Sequence, residues 1–362
     1  MPVAVPPTGS KPKVLFIGES CGSEEHDKKI REIAEVHWIK GMDYEETIPV
    51  IEKTVKEHGP FAAFGGLFVL GDKFPMKWDE RLLGPLSPHC KCYVGPGAGY
   101  DKVDVDWLSR TGAYYANSPL AVGRRTADGA LMLILAAMRG VTPHDLSVRS
   151  GKWRNPKVRS IHWRDATVGI VGLGNIGSQV AAMCSALGMN VIYTSRTPKD
   201  VPYGHRTLEQ LLGEADCVVL TCPLNAETTG LMNAERFAMM KDGSILVNVS
   251  RGPVVVEDDL VKALESGKVM RAALDVFENE PEVHPGLLSN PNVTLSPHVA
   301  PAPDSMGKGM NSEVIDNIIH FLENGIPQTP VNSKEARAYL SRQGKQGKAT
   351  TTVRVNAVEV TA

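Results

Sequence analysis

Three ionisable side chains recur at matching places in this chain, each just past a short apolar run. They are Arg251 in Asn-Val-Ser-Arg-Gly-Pro, Glu280 in Leu-Asp-Val-Phe-Glu-Asn-Glu-Pro, and His298 in Leu-Ser-Pro-His-Val-Ala-Pro. An arginine forks onto a carboxylate, an imidazole gives or takes a proton near neutral pH, and a carboxylate orients the imidazole and favours its charged form. Alone, each has a plain reading: a surface ion pair, a solvated acid, a capping residue. Together at one cleft they suit proton-coupled hydride transfer at the carbonyl of a 2-oxo acid.

A partner for that chemistry is written upstream. Val168 to Gly177 (VGIVGLGNIG) runs from an apolar stretch into Gly172-x-Gly174-x-x-Gly177 and on into the helix-like SQVAAMCSALG. A dinucleotide pyrophosphate needs this order: one glycine for the tight turn, one for close backbone approach, one for helix against strand. The turn residues Asn175 and Ile176 belong to the same expected cofactor site, at the helix N-terminus where backbone N–H groups face anionic charge. The next strand, Asn190 to Thr194, ends in Ser195-Arg196-Thr197 instead of an acid. An acidic residue there would bind a ribose 2'-hydroxyl, whereas Arg196 with the hydroxyls of Ser195 and Thr197, aided by Lys199, suits a 2'-phosphate. The reading is therefore NADPH/NADP+ as the preferred cofactor, with NADH/NAD+ possible.

The rest of the composition fits such an enzyme. A chain of 362 residues, 42% of them hydrophobic, can fill two cores. With a net charge of −2 and scattered Lys and Arg, neither nucleic acid nor an anionic membrane is expected as a partner. The cysteines Cys21, Cys90, Cys92, Cys184, Cys217 and Cys222 lack disulfide-framework or zinc spacing, so no metal is expected, and Cys90-x-Cys92 reads as buried thiols beside a strand. No targeting signal or membrane-length apolar run is visible, which gives a cytoplasmic expectation.

Alternation of apolar runs and helical stretches places the motifs on an α/β frame with doubly wound parallel sheets in two Rossmann-like or flavodoxin-like domains. Strands are expected at Lys13 to Gly18, Phe61 to Leu70 and Cys90 to Val94, with helical stretches to about Ala34 and near Glu45 to His58 and Asp104 to Gly112. After the glycine loop, strands are expected at Cys217 to Cys222, Ser244 to Val249, Ala272 to Val276 and Val293 to Ser296. Thr126 to Arg139 is apolar on nearly every face and reads as a helix buried between domains or subunits. Met306, Met310, Val314, Ile318 and Leu322 give a helix over Asp304 to Asn324 that returns to the first domain. The substrate domain is thus discontinuous, 11–122 completed by 302–345, around a nucleotide domain at 123–301. Residues 346–362 form a C-terminal extension, and the first ten residues read as disordered.

The glycine loop, Cys222-Pro223-Leu224, Asn248 to Gly252, Leu274 to Phe277 with Glu280-Pro281, and Ser296-Pro297-His298 together resemble the D-isomer-specific 2-hydroxyacid dehydrogenases, over about Lys13 to Gln328. Gly97-Ala98-Gly99-Tyr100-Asp101 resembles that family's substrate loop. The spacing is most similar to fungal D-mandelate dehydrogenase and glyoxylate or hydroxypyruvate reductase relatives. The resemblance implies that Ala98 and Gly99 hold a substrate carboxylate with Arg251, that His298 donates the proton, and that Glu280 holds His298. It implies cofactor contacts at Thr126, Cys222, Pro223, Ser250, Asp275 and His298, with Asp275 on the nicotinamide amide. It further implies reduction of glyoxylate, hydroxypyruvate or bulkier 2-oxo acids to D-2-hydroxy acids, while a homodimer is expected from the apolar Thr126 to Arg139 region. Glu280 argues against formate dehydrogenase, which has Gln there. A nucleotide-sensing protein such as the C-terminal-binding-protein corepressors keeps a similar triad and is the alternative. The chain departs from the family after His298, where Val299-Ala300-Pro301 stands in place of a variable residue, Gly and a small residue. Gly65-Gly66 reads either as room for a bulky side chain or as a plain strand end.

Overall fold

The computed structural model describes residues 10–18, 23–67, 77–301 and 306–346, with backbone only at 306 and 340–346. The expected first disordered residues and the expected C-terminal extension therefore lie almost wholly outside the described residues. By internal contacts the chain forms two compact units: Met1–Gly95 with Lys102–Asn117 and Val314–Ala362, and Pro96–Asp101 with Ser118–Glu313.

The first unit begins β1 (Lys13–Ile17), α1 (Glu24–Ile33), β2 (Glu35–Ile39), α2 (Tyr44–His58), β3 (Ala63–Gly66), α3 (Glu80–Leu83), β4 (Cys92–Val94), α4 (Val105–Arg110) and β5 (Tyr114–Ala116). All pairings are parallel, in the order β2-β1-β3-β4-β5, the flavodoxin-like winding. Side chains alternate across the sheet as a two-residue period demands. Val14, Phe16, Cys92 and Val94 pack on one face with Ile30 and with the later residues Val314, Ile318 and Phe321. Leu15, Ile17, Phe64 and Tyr93 pack on the other with Ile51, Trp78, Leu82 and Trp107. Gly65 is core, not pocket: a Cβ there would press on the Phe16 ring and the Ile318 side chain.

The second unit runs α5 (Pro119–Arg139), α6 (Val141–Arg149), β6 (Thr167–Val171), α7 (Asn175–Ala186), β7 (Asn190–Thr194), β8 (Gly204–His205), α8 (Leu208–Glu214), β9 (Cys217–Leu220), α9 (Ala234–Met239), β10 (Ser244–Asn248), α10 (Glu257–Glu265), β11 (Val269–Leu274), α11 (Pro285–Leu288) and β12 (Val293–Leu295). Its parallel sheet is ordered β12-β11-β10-β9-β6-β7-β8. Counted from β6, this is the dinucleotide-binding winding with one added strand, and its switch point lies between β6 and β9. Val218 and Leu220 face a core with Leu211, Phe237 and Leu260, while Cys217 and Val219 face the opposite core with Ala130, Leu133, Ile134, Val180 and Cys184. Helices α12 (Met306–Asn324) and α13 (Ser333–Gln346) are the last described elements; Val314 onward belongs to the first unit.

Helix α5 starts seven residues before the expected Thr126, with Pro119 in its first turn and Gly140 at φ 64° ending it. Its first amides are capped from far along the chain: Leu120 N and Ala121 N donate to the Glu313 carboxylate at 3.1 and 2.7 Å. Ala127, Ala130, Leu133, Ile134 and Ala137 are buried, but Met132 is 57% exposed, so the helix is apolar on a solvent-facing side as well.

Candidate active site

The nucleotide site grows out of the β6 to α7 turn. Gly172 has φ 97°, and a Cβ on it would meet the backbone of Cys222 at the end of β9. Gly177 packs its α-carbon against the Gly172 carbonyl and Thr221 Oγ1, which itself donates to that carbonyl at 2.7 Å. At Gly174, by contrast, a Cβ would meet nothing within 4 Å. Two glycines are thus consumed by packing and one leaves the backbone open beside the N-terminus of α7, where no side chain caps the helix. These residues fit a bound pyrophosphate. The Asn175 side chain is used elsewhere, donating to Pro119 O at 2.8 Å, so its contribution to such a ligand would be its backbone N–H.

Beyond β7, Arg196 is exposed and makes no hydrogen bond or ion pair among the described residues. Ser195 Oγ donates to Thr197 O at 2.7 Å, and Lys199 reaches the carbonyl of Leu173 inside the glycine turn. An exposed guanidinium beside hydroxyls, in a Ser-Arg-Thr turn that carries no carboxylate, is suited to an anionic group on the ribose. Thr126 is buried, with Oγ1 donating to Val122 O at 2.9 Å. Cys222 is buried, and burial pushes its thiol up to about 11, so it stays neutral beside the glycine turn. Pro223 is exposed, its carbonyl accepting from Thr228 Oγ1 at 2.6 Å.

Three strand ends bring the ionisable set together. After β10, Asn248 organises the turn: its Oδ1 accepts from Ser250 N (3.0 Å) and Ser250 Oγ (2.7 Å), while its Nδ2 donates to Arg251 O (3.0 Å). Arg251 Nη1 donates to Ser250 O and Nε to Asp101 Oδ1, both at 2.8 Å. A Cβ at Gly99 would run into Arg251 Nη2, so the 96–101 loop meets the guanidinium backbone-on. After β11, Glu280 Oε1 accepts from Phe277 N at 3.0 Å and Oε2 pairs with His298 Nδ1 at 2.9 Å. Burial works to raise the proton affinity of Glu280. The His298 hydrogen bond, the Phe277 N–H and the His298 and Arg251 charges outweigh it and hold the carboxyl below its usual range. An ionised Glu280 only accepts, so Nδ1 carries a hydrogen and Nε2 is the nitrogen available for exchange.

After β12, His298 sits at φ 55°, a left-handed conformation uncommon outside glycine, with its N–H on Asp275 O at 2.7 Å. The buried Asp275 carboxylate holds the loop: Ser296 Oγ (2.6 Å), Val299 N (2.9 Å) and Ala300 N (3.0 Å) all donate to Oδ1, and Ala300 N also reaches Oδ2. On its far side the loop lies against α5, where a Cβ on Gly129 would meet the Cα, Cβ and carbonyl of Ala300. The methyl of Ala300 is therefore accommodated by a missing side chain on the helix. The reading from sequence missed Asn248 and Asp101 as organisers of Arg251. Both stand inside motifs quoted for other reasons, and only the fold shows where they point. Among the described residues no group of His, Cys, Asp and Glu could hold a metal ion, and no helix is long and apolar enough to cross a membrane.

A doubly wound sheet with an open glycine turn at its switch point, and an Arg, Glu and His at adjacent strand ends, defines a nicotinamide-dinucleotide oxidoreductase. Comparison with known proteins makes this specific. Residues 131–300 match the model of the D-isomer specific 2-hydroxyacid dehydrogenase NAD binding domain. The chain is 39% identical over 261 residues to a glyoxylate reductase of Thermococcus onnurineus, spanning 68% of this chain and 77% of that protein. Among solved structures, it resembles the holo form of Rhodotorula graminis D-mandelate dehydrogenase (29% identity, TM-score 0.81, 90% of this chain and 99% of the other). It also resembles the NADPH-dependent glyoxylate/hydroxypyruvate reductase of Sinorhizobium meliloti in complex with NADP and malonate (30% identity, TM-score 0.74, 90% and 98%). The chain belongs to the D-isomer-specific 2-hydroxyacid dehydrogenases.

Proposed function

We propose that this protein reduces 2-oxo acids to D-2-hydroxy acids and prefers NADPH over NADH. The observation that carries the reading is the Glu280 to His298 pair at 2.9 Å, which fixes one imidazole nitrogen and leaves Nε2 to deliver a proton, in one unit with Arg251. The bound cofactor supplies hydride. Arg251, with the backbone of Ala98 and Gly99, anchors the substrate carboxylate and stabilises charge developing on the keto oxygen; His298 protonates that oxygen. Glu280 holds the imidazole and compensates its positive charge. Gly172, Gly174, Asn175, Ile176 and Gly177 would hold the pyrophosphate, and Ser195, Arg196 and Thr197 a 2'-phosphate. Thr126, Cys222, Pro223, Ser250, Asp275 and His298 would line the remainder of the cofactor.

Substrates from glyoxylate and hydroxypyruvate to branched or aromatic 2-oxo acids fall within what the relatives' names span. NADPH oxidation with glyoxylate, hydroxypyruvate, 2-oxoisocaproate, phenylpyruvate and benzoylformate, each repeated with NADH, tests the reading. Turnover with NADPH supports it and the best substrate names the class; tight NADPH binding with no turnover on any of them overturns it in favour of a nucleotide sensor. A homodimer belongs to the same proposal, supported by apolar surface at Met132, Val141, Leu146, Val148 and Trp153 along and after α5, each more than 40% exposed.

A further inference from the structure

Arg251 already has an anionic partner. Asp101 Oδ1 takes its Nε at 2.8 Å, and the pair is mostly shielded, with side-chain exposures of 29% and 17%. A substrate-anchoring arginine paired with a carboxylate of its own chain would be blunted if the partner covered the whole fork. Here it does not. Nε goes to Asp101 and one Nη1 hydrogen to the Ser250 carbonyl. Nη2 has no hydrogen-bond partner among the described residues, and it stands where a side chain on Gly99 would be. Contacts fixed on two of the three nitrogens of a rigid planar group determine where the third points.

We infer that Asp101 is a positioning residue: it pins Arg251 through Nε so that Nη2 faces a substrate carboxylate beside Gly99. The inference rests on the proposed 2-oxo acid reductase reading and assigns Asp101 no contact with substrate. Asp101 acts through a hydrogen bond to Nε, which an amide oxygen also accepts, so Asp101→Asn retains the orientation and Asp101→Ala loses it.

The test uses the full chain with NADPH, glyoxylate as substrate and oxamate as a non-reacting carboxylate probe. Asp101→Ala is expected to raise the oxamate dissociation constant and the glyoxylate KM by about tenfold, the scale of one hydrogen bond to a charged group. The change in kcat should be smaller and NADPH affinity unchanged. Asp101→Asn should stay within about threefold of wild type, as a retained hydrogen bond requires. Because Asp101 works through Arg251, adding Asp101→Ala to Arg251→Ala should cost nothing further in kcat/KM. The inference is overturned if Asp101→Ala leaves both constants unchanged, if Asn fails to rescue, if NADPH affinity falls in parallel, or if the two substitutions add. A wild-type protein that neither binds oxamate nor turns over any 2-oxo acid overturns the function itself, and that outcome is read before any variant is made.

Discussion

Replacing Asp275 with asparagine should loosen the His298 loop without altering a single residue that meets substrate. Asp275 is 1% exposed, and three donors converge on its Oδ1 while Ala300 N also faces Oδ2 at 2.9 Å. An asparagine in the same rotamer keeps one oxygen for those donors but sets an NH2 group against the Ala300 N–H. The three surviving bonds lose their charge assistance, worth about 1 kcal/mol each. With the donor–donor contact added, the cost comes to about 3–5 kcal/mol. For a unit of this size that corresponds to a fall in melting temperature of roughly 6–20 °C. The left-handed backbone at His298 is held by the same loop, so kcat should drop by at least tenfold, and the NADPH dissociation constant should rise as well because Asp275 lines the proposed nicotinamide site. Thermal unfolding by circular dichroism and steady-state kinetics read the two effects separately. A variant with a melting temperature within about 2 °C of wild type and kcat within about twofold would show that the loop keeps its shape without the carboxylate, and would refute the reasoning.

Arg196→Ala should weaken NADPH by about tenfold or more and leave NADH nearly untouched, as measured by fluorescence titration; equal losses would remove Arg196 from the 2'-phosphate site. His298→Ala should abolish most turnover while NADPH affinity stays close to wild type. Glu280→Gln removes the anion that compensates a protonated His298, so the alkaline limb of kcat against pH should move to lower pH; an unmoved limb would dissociate the pair from catalysis. The depressed carboxyl of Glu280 contributes stability that is complete above the ordinary carboxylate range and lost as pH falls through its folded-state value. Wild type should therefore lose more stability than Glu280→Gln on acidification below that range. Light scattering at micromolar concentration should give twice the chain mass, and Leu146→Lys with Val148→Lys should lower it.

The nucleotide fold was readable because its signals are local. An apolar run, three glycines at fixed spacing and a helix make one contiguous segment, and β7 falls at Asn190–Thr194 as expected. Strand ends were less sharp: β9 stops at Leu220 and β11 runs Val269–Leu274, offset from the apolar runs that announce them. What escaped depends on distant partners. The start of α5 has a local mark in Ser118-Pro119, but the carboxylate that caps its first amides is Glu313, 193 residues beyond Leu120, and only the fold brings it there. Gly65 reads from sequence as room for a side chain or as a plain strand end, and only Phe16 and Ile318, distant in the chain, make it core. The short β5, three residues, and β8, two, give no periodicity to detect. Asp275 stands in a motif quoted for the cofactor, and its carboxylate in addition holds the Ser296 to Ala300 loop, within reach only because β11 and β12 are neighbours.

Gly129 and Ala300 meet main chain to main chain, with no flexible side chain between helix and loop. Elsewhere in a protein a small shift of one element is absorbed by rotamer changes at the contact. Here that cushion is missing, so α5 serves as a rigid backing plate for the segment two residues from His298. The same helix turns Met132 outward, toward the surface proposed to meet a second subunit. Placing a glycine at Ala300 would leave a gap at Gly129 and release the backing.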